Sequence, residues 1–154
     1  MAGICESAEE QRGIDGKSHR INQTFHGTDE AIAMATMYTA NQLNIKVIAA
    51  LTESGATTLW MSRISSGMAI YALSGEHKTL RKVKLYRGVY PIYFPVRATS
   101  HNETDKNVVA DLLDREVVDV DDRILITKGD LVGDVGGTNT LKIVDVAKFA
   151  NSVQ

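Results

Sequence analysis

Apolar positions follow two rhythms along this chain. From Thr28 to Leu43, the residues Ile32, Ala35, Met37, Tyr38 and Leu43 recur at the three-to-four spacing of a helix face. Thr28 is placed to cap that helix, and Asp29 and Glu30 suit its first turn. Residues 46–51 (KVIAAL) replace the helical spacing with a short continuous apolar run, the pattern of a strand covered on both faces. Helical spacing returns over 57–66 through Leu59, Trp60, Arg63 and Ile64, with Gly67 to stop it. Residues 68–73 (MAIYAL) predict a second buried strand. Residues 77–86 predict a basic helix whose apolar side is Leu80, Val83 and Leu85, closed by Arg87-Gly88. Residues 89–94 (VYPIYF) predict a third strand, in which Pro91 marks an edge or a bulge. A polar loop over 97–105 leads to a helix carrying Val108, Val109, Leu112 and Leu113. Two strands, 123–129 and 140–146, end the pattern.

This order alternates helix and strand four times and then adds a strand directly to a strand. Alternation implies right-handed crossovers, so the expected fold is α/β: a three-layer αβα sandwich on a mostly parallel five-stranded sheet, the last strand antiparallel. Residues 28–154 form that domain, and 1–27, polar with two glycines after a short helical opening, read as a connector. The final hairpin is joined by GDLVGDVGGTNT, longer than the two to five residues a hairpin needs. A loop of that length and glycine content is functional or disordered.

Charge and cysteine content narrow the function classes. With 17 basic and 19 acidic residues the net charge is -2, which gives no general attraction to nucleic acid or an anionic membrane. Cys5 stands alone, so no intrachain disulfide forms, in keeping with a reducing compartment. No run approaches the ~18 apolar residues of a membrane span, and the first residues do not resemble a secretion signal. A cytoplasmic protein is expected.

Candidate chemistry is sparse. His19, His26, His77 and His101 fall in loops or at a helix start without a catalytic motif around them. Neither HxxxH nor CxxC occurs, and DVDD at 119–122 lacks the spacing of a calcium loop. No catalytic or metal-binding residue is therefore assigned. A phosphate-binding lysine loop would require lysine where Ala56 stands, and GDVGGTNT misses GxGxxG. The basic helix, with His77, Lys78, Arg81, Lys82, Lys84 and Arg87, reads as solvated surface or as a phosphate or subunit contact. The stretch TESGATT, 52–58, remains: four hydroxyls and a glycine between a buried strand and a helix. It can cap the helix, or seat an anion on hydroxyls and first-turn amides. In a parallel sheet, ligands bind beyond the carboxyl ends of strands, which is where this stretch lies.

Four segments together, EAIAMATMYTANQL, TESGATTLWMSRISSGMAIYALS, TLRKVKLYRGVYPIYF and ITKGDLVGDVGGTNTLKIVDV, resemble the carboxy-terminal domain of pyruvate kinase, bacterial type, in order and spacing over residues 28–146. The opening MAGICESAEE resembles the end of that family's catalytic barrel, so 1–27 would connect to it. The resemblance implies a cytoplasmic glycolytic transferase as parent, a kinase moving phosphate from phosphoenolpyruvate to ADP. Its magnesium and potassium belong to the barrel, and this chain alone would hold no cofactor and be inactive. The implied role is allosteric regulation and homo-oligomer assembly, without nucleic acid or membrane partners. Carried over by motif, the effector phosphate site is Thr52, Ser54, Gly55, Ala56, Thr57 and Thr58, covered by a loop containing Gly133, Asp134, Gly136 and Gly137. Glu53 and Ala56 stand where relatives with tight bisphosphate binding carry neutral or basic side chains. AMP or a sugar monophosphate is therefore favoured over fructose 1,6-bisphosphate. The alternative is a purely structural oligomerisation module whose effector site has decayed.

Overall fold

The computed structural model describes residues 24–64, 66–95, 100–129 and 137–150. The chain runs α1 (Thr28–Gln42), β1 (Ile48–Leu51), α2 (Ala56–Ser62), β2 (Ile70–Ser74), α3 (His77–Val83), β3 (Val89–Tyr93), α4 (His101–Asp114), β4 (Arg123–Gly129), β5 (Thr138–Asp145) and α5 (Val146–Ala150). The sheet order is β3-β2-β1-β4-β5, parallel except for the β4–β5 hairpin. This is the expected mixed sheet between helices. The position of Pro91 is also as expected, because β3 is an edge strand.

Alternation along the central strands divides the core into two layers. Val47, Ala49, Ile124 and Ile126 pack with Val108, Val109 and Leu112 of α4. Ile48, Ala50 and Leu125 pack with Ala33, Met37 and Ala40 of α1, Met61 of α2 and Val83 of α3. Strands that fill both layers need apolar residues at every position, hence the continuous runs in the sequence. The β5–α5 junction is tied at the surface, where Lys148 and then Arg123 hold the Asp145 carboxyl below its usual range.

Several local expectations are corrected. The buried face of α1 is Ala33, Thr36, Met37 and Ala40, while Ala35 is exposed and Tyr38 is 55% exposed. Small residues on both sides of Met37 let the helix lie close to the sheet, so size rather than hydropathy sets its rotation. Gly27, not Thr28, occupies the cap position of α1. Helix α2 stops at Ser62, well before Gly67, and β2 begins at Ile70. Helix α3 ends at Val83, which leaves Leu85 beyond it and 87% exposed. Helix α4 begins inside the segment expected to be loop: Ser100 Oγ accepts the Glu103 amide at 3.3 Å, the start of a Ser-x-x-Glu capping box. The short α5 was not anticipated. Residues 1–23 of the expected connector lie outside the described residues.

Candidate functional site

From β1 the chain winds outward through β2 to β3, and the crossover through α4 then carries it from β3 back past β1 to β4 on the other side. The carboxyl ends of β1 and β4 therefore flank the place where the winding reverses, the position at which open α/β sheets bind ligands. The 52–55 loop leaves β1 at this point.

Its shape follows from its side chains. The Thr52 amide continues the sheet by donating to the Leu73 carbonyl at 3.0 Å. Thr52 Oγ1 then accepts the Gly55 amide at 2.9 Å, and Ser54 Oγ accepts the Ala56 amide at 3.3 Å. Both hydroxyls act as acceptors here, so each keeps its own proton to donate. Gly55 has φ 78°, left-handed, and a Cβ there would fall 2.7 Å from Val83 Cγ1. Only glycine lets the loop turn this tightly against α3.

Helix α3 holds the loop's carbonyls. The Thr79 hydroxyl donates to the Glu53 carbonyl, and Lys82 Nζ donates to the Ser54 carbonyl at 3.1 Å. The electronegative ends of two loop peptides thus face α3, and Lys82 brings a cation to a loop that has none of its own. Neither residue was assigned to the site from sequence. The basic run was visible, but only packing shows that one of its members reaches this loop.

Thr57 and Thr58 are placed differently from Thr52 and Ser54. Both are buried. The Thr58 hydroxyl donates to the Gly55 carbonyl at 2.9 Å, within its own turn. Thr57 Oγ1 bonds Thr138 Oγ1 of β5 at 2.7 Å. Helix geometry leaves the amides of Thr57 and Thr58 without partners inside α2. Of the expected covering loop, Gly133, Asp134 and Gly136 lie outside the described residues. Gly137 directly precedes β5 at this same end of the sheet, its carbonyl 2.6 Å from where a Gly129 Cβ would stand.

Hydroxyls, amides and an ammonium are groups that hold an anion. Among the described residues, no three of His, Cys, Asp and Glu cluster as metal ligands. Among them also, no helix is long and apolar enough to cross a membrane.

Comparison with known proteins gives concordant results. The family described as pyruvate kinase, alpha/beta domain, matches residues 30–144. A pyruvate kinase of Buchnera aphidicola subsp. Baizongia pistaciae is 43% identical over 148 residues, 95% of this chain and 30% of that protein. Pyruvate kinase II of Salmonella typhimurium is 40% identical over 147 residues, again 95% of this chain and 30% of its own. The chain thus spans less than a third of the curated relatives it matches. Among solved structures, a pyruvate kinase from Cryptosporidium parvum superposes with a TM-score of 0.68 at 23% identity, covering 80% of this chain and 24% of that one, a likeness of fold.

Proposed function

The chain belongs to the family of pyruvate kinase alpha/beta domains, and from that membership we propose that it is the regulatory and subunit-assembly domain of a pyruvate kinase. On this reading the whole protein is a cytoplasmic glycolytic enzyme that transfers phosphate from phosphoenolpyruvate to ADP. Magnesium and potassium act in its catalytic barrel, and the present chain alone does not turn over substrate.

The regulatory part of the proposal is that the 52–58 segment seats the phosphate of a small effector. The observation that carries it is the pair Thr52 and Ser54. Both side chains shape the loop by accepting amides, and both retain a proton for an incoming oxyanion. Lys82 supplies positive charge nearby. With Lys82 as the cation shown at the loop among the described residues and Glu53 on it, one phosphate is better matched than two, which favours AMP or a sugar monophosphate over fructose 1,6-bisphosphate.

Thermal unfolding tests this reading. AMP at a hundredfold excess over its Kd should raise the Tm of the chain by about 5–10 °C. Ser54→Ala should remove most of that rise, whereas Thr52→Ser, which keeps a hydroxyl, should preserve it. An unchanged rise in Ser54→Ala would remove this loop from effector binding. No response to AMP or sugar monophosphates in the parent chain would leave assembly as the domain's role.

A further inference from the structure

Strand β5 carries an extra residue where it meets the candidate site. The register pairs Lys128 with Thr140 and Gly129 with Thr138, so Asn139 has no opposite number and the alternation of side chains slips by one. Lys128 lies on the α4 face, where its ammonium meets Asp105. Thr138, two residues from Thr140, would share that face in a regular strand. The bulge turns it instead toward α2, and its hydroxyl reaches that of Thr57 across 81 residues of sequence. Both threonines are buried. Opposite Thr138, Gly129 leaves room for the Gly137 carbonyl, which any side chain would strike.

A threonine hydroxyl has one proton. Between Thr57 and Thr138 that proton lies in a neutral hydrogen bond. A bond to an oxyanion is about twice as strong, so a phosphate at the first turn of α2 outcompetes Thr138 for it. Resting on the effector seat proposed above, we infer that the Thr57–Thr138 hydrogen bond couples that seat to strand β5, breaking when the seat fills and freeing the start of the strand from α2. The same layer holds a second unpaired hydroxyl on the neighbouring strand. Thr127 lies on β4 opposite Leu141, which packs in the layer of α1 to α3, and the Thr127 hydroxyl is fully buried without a partner. The element that responds, β5, is the outer strand of the sheet, so occupancy is communicated to a surface.

The test uses the 154-residue chain with AMP as probe. Thr138→Val keeps the shape and removes the competitor for the Thr57 proton. By calorimetry it should bind AMP about five-fold more tightly than the parent, the worth of one neutral hydrogen bond. A threonine serving packing alone would give unchanged or weaker binding. In the parent, AMP should accelerate amide hydrogen exchange at residues 140–143, and in Thr138→Val it should have no such effect. Thr57→Val, lacking the proton, should bind AMP more weakly and show no exchange response. A parent that binds AMP without any exchange response, together with a Thr138→Val variant of equal or lower affinity, overturns the coupling and leaves the effector seat standing. A parent that binds neither AMP nor inorganic phosphate overturns both.

Discussion

Gly55 concentrates three requirements in one residue. Its left-handed φ closes the loop, its amide satisfies Thr52, and its missing side chain admits Val83. Gly55→Ala combines an αL alanine with a contact against a buried core valine. It should cost about 1–3 kcal/mol of stability, measured as a lower urea midpoint at unchanged m. Affinity for AMP should fall as well, because the loop cannot close without moving α3. At this scale the sequence was readable where bonds are local: Thr52 and Ser54 satisfy amides three and two residues on, and hydroxyl spacing around a glycine announces that. The fates of Thr57 and Lys82 were not readable. Their partners are Thr138 and Ser54, 81 and 28 residues away, and no short-range pattern specifies either pairing.

Between elements, the hairpin of β4 and β5 is anchored to α4 by one carboxylate. Asp105, fully buried, accepts Lys128 Nζ at 2.5 Å on one oxygen and Lys142 Nζ at 2.6 Å on the other. Asp105→Asn removes the charge that both ammoniums face. Lys128 is nearly buried itself, so about 3–5 kcal/mol should be lost in chemical denaturation. Lys142→Met should cost far less, because that ammonium is partly solvated and the Asp105–Lys128 bond survives. Nothing in NETDKN distinguishes an interior aspartate from its solvated neighbours, so this junction was invisible in the sequence. Strands were the more legible elements, since residues buried on both faces are mostly apolar, as in IAAL and the ILI of RILITKG. Helix limits were less so. The start of α4 depends on the Ser100 cap, and the end of α3 depends on Leu85 having no core to enter.

At the scale of the whole molecule the sheet has two unlike margins. Strand β5 is eight residues long and carries Ile143, 49% exposed, so it presents a row of backbone groups beside an apolar side chain. On the proposed assembly role, two copies join through this margin. Ile143→Lys should then shift sedimentation of the chain toward the monomer without lowering its melting temperature by more than a degree or two. If the parent sediments as a monomer at all accessible concentrations, this margin is not an assembly surface.

The opposite margin behaves otherwise. The Phe94 amide bonds the Ser74 carbonyl of β2, so by alternation Tyr90 and Ile92 turn their amides inward while Pro91 and Tyr93 face out. Proline there sacrifices no internal bond and withholds a donor from any newcomer. The β3 flank is thereby the weaker template: a pair of molecules meeting through β5 would leave outward only an edge short of one donor, from which a filament lengthens less readily.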